Sequence, residues 1–122
     1  FIEAAHQTAA RYARDVSEFE ATGLTPDWRN GFPAPFVTEA VVRMGLELRE
    51  QQELVINGTH LVIGEIVILE APDHCVDISG RLDLVRAGTV ALSGLDTYHA
   101  ATALKTMAYA KPELPPRTIG PA

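Results

Sequence analysis

Residues 41–70, VVRMGLELREQQELVINGTHLVIGEIVILE, decide the fold. Val42, Met44, Leu46 and Leu48 alternate with Arg43, Gly45, Glu47 and Arg49. A period of two is the spacing at which successive side chains leave a strand on opposite faces, so one face is expected to be wet and the other buried. Leu61 to Leu69 is nearly continuous in aliphatic residues, interrupted by Gly64 and Glu65, and both of its faces are expected to be covered. Between the two runs, Asn57-Gly58 supplies the positive φ angles of a tight antiparallel connection. The pattern predicts a long hairpin over about residues 41–70 that turns at Asn57-Gly58.

Upstream, Ile2, Ala5, Ala9 and Tyr12 recur at helical spacing and predict a helix over residues 2–12. Ser17 and Glu20 have the form of a capping box, and Gly23 suits the left-handed end of the short helix they open. From Thr25 to Phe36, three prolines and a glycine alternate with Trp28, Phe32 and Phe36. This stretch is too broken for regular structure and too aromatic for an idle tether, so an ordered, packed loop is expected. Downstream of Pro72 the chain is polar and irregular to about Arg81. A helical turn over Leu82 to Arg86 and a short strand over Thr89 to Leu92 are expected. The tail after Lys111 has four prolines in eleven residues and reads as a surface arm or a disordered end.

Three ordered stretches carry a resemblance: Ala5 to Leu24, AHQTAARYARDVSEFEATGL; Asn57 to Ile66, NGTHLVIGEI; and Ala87 to His99, AGTVALSGLDTYH. Together they resemble the flavin reductase-like, FMN-binding split-barrel family. The resemblance implies a mainly β fold, an antiparallel split barrel with peripheral helices. The family's chains begin upstream of the point that Phe1 matches, so residues 1–122 are expected to be a single domain that forms the C-terminal portion of such a barrel. It would be completed by N-terminal strands or by a partner subunit.

The same resemblance implies FMN as cofactor, NAD(P)H as co-substrate, a homodimer, and delivery of electrons to free flavin, a partner monooxygenase or another acceptor. The cofactor carries the chemistry in such a protein, and no side chain is needed as acid or base for hydride transfer. Two other functions stay open: a non-catalytic FMN-binding electron carrier, and a piece of a divided protein that binds no flavin alone.

Candidate flavin-site residues follow from the matched stretches. Thr59 occupies the position of a family histidine that lies near the flavin ring, with Gly64 five residues on, and His60 comes one residue late. Strand parity sends Thr59 and His60 to opposite faces, so Thr59 is expected nearer the flavin. Tyr98 is placed by the resemblance at the flavin or its dimer-related rim, where a phenol can stack and hydrogen-bond. Its alternative is a core aromatic beside a capping turn made by Asp96 and Thr97. His6, Gln7 and Thr8 approach the flavin or a neighbouring subunit in the family's arrangement, or else form an ordinary polar helix face. Gly64 itself marks a bulge, a barrel bend or the close approach of something flat.

Other chemistries find less support. Ser93, Asp96 and His99 lie within seven residues, too near in sequence to assemble a relay, and no GxSxG elbow is present. Asp73, His74, Cys75 and Asp77 form one cluster without a second ligand pair and read as a solvated loop; no metal is expected. Neither GxGxxG nor a P-loop occurs. A net charge of -6 with scattered basic residues argues against nucleic acid. No apolar run approaches the roughly 18 residues that span a bilayer. With Cys75 as the single cysteine and no leader-like segment, a cytoplasmic protein is expected.

Overall fold

The computed structural model describes residues 1–120. Its strands form three antiparallel two-stranded sheets, flanked by two short helices and a 3-10 turn. In chain order these are helices α1 (Ile2–Gln7) and α2 (Glu18–Thr22), strands β1 (Pro26–Asp27), β2 (Phe36–Val37), β3 (Arg43–Leu54) and β4 (Thr59–Glu70), the 3-10 turn Asp73–Cys75, and strands β5 (Val90–Ser93) and β6 (Thr97–Ala100). The architecture is mainly β, as expected, and the strands do not close into a barrel among the described residues.

The dominant element is the β3–β4 hairpin. Its register runs from Arg43 opposite Glu70 to Leu54 opposite Thr59. The connection is longer than the expected tight turn: Val55 to Gly58 loop out, Gly58 donates its N–H to the Leu54 carbonyl at 2.9 Å, and only Gly58 takes a positive φ, of 68°. Asn57 contributes through its side chain instead, accepting from the Thr59 N–H at 3.1 Å and the Thr59 hydroxyl at 2.7 Å.

Two register shifts, between Gly45 and Leu46 and between Leu48 and Glu50, place an extra residue first on β4 and then on β3. Bulges re-aim side chains locally. The extra residue on β3 is Arg49, and its guanidinium reaches both Glu47 (2.9 Å) and Glu65, two carboxylates that face each other across the strands and would otherwise repel.

The expected burial of this hairpin is not what the chain achieves. Met44, Leu46 and Leu48, predicted for the buried face, are exposed, as are Leu61, Val62, Ile63, Ile66, Val67 and Leu69 on the strand expected to be covered on both sides. The chain's own elements reach only the base of the hairpin, and nothing among the described residues covers the rest. At that base Gly45 is buried, and a Cβ added there would lie 2.9 Å from the Phe32 ring and 3.2 Å from Ile68 Cβ.

The segment 25–36 holds this base. Its ends pair as β1 with β2, a regular feature that the broken sequence did not suggest. Phe36 is buried, with the Phe32 ring 5.2 Å from its own and the Arg29 guanidinium 4.8 Å above it. Arg29 forks onto Asp27 (3.0 and 2.7 Å) and also bonds Glu70, while Arg43 joins the same two carboxylates at 3.6 and 3.9 Å. The loop is therefore packed as expected, except that Trp28 is 67% exposed.

Other expectations are revised. The first helix ends at Gln7 rather than residue 12, because the chain tightens into i→i+3 turns at Ala9 and Ala10 and the Thr8 hydroxyl folds back onto the Ala5 carbonyl at 2.7 Å. Ser17 stands at the N-cap of α2, but its side chain makes no capping bond; Gly23 closes the helix at φ 73°. The segment 73–77 is not simply solvated: Cys75 is fully buried, and its carbonyl accepts the Asp83 N–H at 2.7 Å. The tail folds back, with Ile119 N–H on the Thr106 carbonyl and Ala108 N–H on the Arg117 carbonyl, both at 2.8 Å. Pro121 and Ala122, the end of the expected arm, lie outside the described residues.

Candidate functional site

The segment SGLDTYH folds as a second hairpin. Leu92 pairs with Tyr98 and Ser93 with Thr97, with Gly94 at φ 62° starting the turn and Asp96 accepting from the Thr97 hydroxyl at 3.0 Å. Asp96 and Thr97 thus turn one strand into the next rather than capping a helix, and Tyr98 lies on β6. The alternation of a strand then divides the motif between two faces.

On one face, Ser93 Oγ lies 2.7 Å from His99 Nε2. On the other, Tyr98 is half-buried and meets His6 at the last turn of α1. The Tyr98 hydroxyl is 3.0 Å from His6 Nδ1, and the two rings sit edge to face with centroids 5.8 Å apart. With its proton on Nε2, a neutral imidazole accepts at Nδ1 while the phenol donates, and an edge-to-face contact leaves one aromatic face unstacked. Residues separated by 92 positions are thereby joined into one polar-aromatic unit.

The remaining candidates lie less close. Gln7 follows His6 on α1, whereas Thr8 is turned back onto its own helix through Ala5. Thr59 stands at the tip of the long hairpin, opposite Leu54, with its hydroxyl donating to Asn57. His60, on the other face, is 3.2 Å from Gln51 Nε2 across the strands. The principal packing partner of β4 is β3, so Thr59 and Tyr98 are not drawn into one site by this chain alone. Gly64 packs tightly on Leu46 of β3, 3.0 to 3.1 Å from where a Cβ would stand, which answers its expected close approach with a neighbouring side chain.

The sequence reading missed the Arg29–Asp27–Arg43–Glu70 network beside the hairpin base. Its members span 43 positions, from Asp27 to Glu70, and no local spacing signals their meeting.

No family model matches the sequence, and no curated protein matches it. Solved structures do. A candidate flavin reductase with a split barrel domain from Shewanella frigidimarina NCIMB 400 is 51% identical, superposes with a TM-score of 0.82, and is matched over 88% of this chain and 55% of its own. Over that span the chain has the fold of a split-barrel flavin reductase. Nitrilotriacetate monooxygenase component B from Bacillus cereus is 26% identical with a TM-score of 0.71, over 84% of this chain and 52% of that one. Flavoredoxin of Desulfovibrio vulgaris (Miyazaki F), at 24% identity and a TM-score of 0.68 over 92% and 57%, shares the fold. This split-barrel chain spans about half the length of the structures it matches. Among the described residues, no helix is long and apolar enough to cross a membrane.

Proposed function

We propose that the chain is the flavin-binding part of an FMN-dependent oxidoreductase that takes electrons from NAD(P)H and acts as a homodimer. The observation that carries this reading is the 51% identity to a candidate flavin reductase, which extends over most of this chain. The His6–Tyr98 unit supports it, because two residues that the family resemblance implies lie near the flavin are in contact.

The residues present fit a flavin. Tyr98 offers a half-buried ring for stacking against a flat heterocycle, and His6 fixes the direction of its hydroxyl. Gln7, next to His6 on α1, would supply an amide, and Thr59 would come from the hairpin tip of the same or a second subunit. FMN, when bound, would supply the electron-transfer chemistry, and the chain's contribution would be to hold and orient it. The B. cereus neighbour is a monooxygenase component, which favours a partner monooxygenase as acceptor over other choices.

Anaerobic addition of NADH or NADPH to the FMN-loaded protein is expected to bleach the oxidised flavin bands. Retained flavin that only a protein reductant can bleach would move the protein to the electron-carrier class. Tyr98→Ala is expected to weaken FMN binding in a fluorescence titration by about 1–3 kcal/mol, the worth of an aromatic contact plus a hydrogen bond, and His60→Ala by less. Unchanged affinity in folded Tyr98→Ala protein would remove the residue from the site.

A further inference from the structure

Two features of the surface have no partner of their own and match each other. The first is a small groove where α2 runs into β1. It is lined by buried Leu24, half-buried Phe19 and exposed Pro26, Trp28 and Glu20, around a space of about 270 Å³. A space of that size suits one or two side chains rather than a whole organic ligand. Trp28 is 67% exposed, and among the described residues no ring or cation lies against its indole and no cation pairs with Glu20.

The second is the arm of residues 109–117. Both of its ends are clasped: the Ala108 N–H bonds the Arg117 carbonyl and the Ile119 N–H the Thr106 carbonyl, each at 2.8 Å, and Met107 bridges Thr118. Between the clasps Leu114, Pro115, Pro116 and Arg117 are exposed, and Arg117 makes no ion pair among the described residues. Leu114 and Pro115 each precede a proline, whose ring keeps the residue before it out of the helical region, so the stretch is extended. Such a run loses little conformational freedom when it binds.

We propose that residues 114–117 of one copy of the chain dock in the Trp28 groove of a second copy, with the proline rings on the indole and Arg117 against Glu20. Aromatic-lined grooves take proline-rich segments because a stiff, apolar run covers an indole face at low entropic cost. A charge at the rim then fixes the direction in which the segment lies. Each arm is held at both ends, and no hydrogen bond or ion pair ties it to residues 17–28 of its own chain, which leaves its groove to a neighbour. The contact does not rest on the flavin reading and uses residues outside the long hairpin.

Trp28 is the one tryptophan of the chain, so its emission reports on this groove alone. The 122-residue chain with Trp28→Ala offers an arm and no signal, and the chain with Pro115→Ser and Pro116→Ser offers a groove and no proline arm. Adding the first to the second is expected to shift the emission to the blue, saturably, as the indole leaves water. A Trp28→Ala chain that also carries the two serines should bind about tenfold more weakly or worse, the loss expected when a central contact is removed. Glu20→Arg in the groove-bearing chain should weaken docking by about fivefold, the scale of an exposed ion pair, and Arg117→Glu in the arm-bearing chain should restore it. All the substituted positions are exposed, so circular dichroism should show each variant folded. No saturable shift, an equal shift from the arm without prolines, a Glu20→Arg chain that binds undiminished, or one that Arg117→Glu does not rescue would each overturn the proposal.

Discussion

Asp77 accepts more hydrogen bonds than any other carboxylate among the described residues, and its acidity records them. The Ser79 hydroxyl at 2.5 Å and the Arg81 N–H hold its carboxylate in the charged form and push its pKa down from 3.8 to about 2. A depressed carboxylate pKa stabilises the folded turn above the unfolded value, and that contribution is lost as pH falls from about 4 through about 2. Amide shifts of Ser79 and Arg81, followed by NMR, should therefore move with a midpoint near 2, and Asp77→Asn should abolish the transition. A midpoint at the ordinary aspartate value would show that these bonds do not persist in solution. At this scale the sequence displays chemistry but not company: His6 and Tyr98 were each legible as candidates, while their contact depends on where α1 ends and which face β6 presents.

Elements are where the sequence speaks most clearly and where it misleads in one consistent way. Alternation in β3 and aliphatic density in β4 revealed a hairpin, because a period of two has few other meanings. Which residues share a face was not legible, since the two bulges insert residues whose presence no spacing announces. Gly45 shows the consequence. It read as one more wet position, yet it is buried where the Phe32 ring crosses the strand. That ring is braced by Phe36, which lies beneath Arg29, so it has little room to retreat. Gly45→Ala is expected to destabilise the protein by about 1–3 kcal/mol through overpacking, seen as a lower denaturant midpoint. Gly64→Ala, crowded by Leu46, should lower it as well. If Gly45→Ala matched the native midpoint, the packing of segment 25–36 on the hairpin would be looser than this contact implies.

The whole molecule exposes far more surface than a self-sufficient domain of its mass. A compact monomer of 13.2 kDa is expected to show roughly 6,400 Å², whereas this chain shows 10065 Å², more than half as large again. Much of the excess is apolar and lies along the long hairpin, with Leu48 61%, Val62 60% and Ile66 52% exposed on a common face. A two-stranded sheet with bare faces is at best marginal alone, and single apolar patches on monomers seldom exceed a few hundred Å². Within the proposed homodimer, a second copy would cover part of this face, and the excess area is of the order buried in obligate interfaces. The 122-residue chain is therefore expected to elute in size-exclusion chromatography with light scattering as a dimer or larger species and to bind a hydrophobic dye. Replacing Leu48, Val62 and Ile66 together by Thr keeps strand propensity while making the face polar, and should shift the chain toward monomer with reduced dye binding. A native chain that is monomeric at every concentration and binds no dye would show that its aliphatic strands are covered from within, by a packing different from the one described.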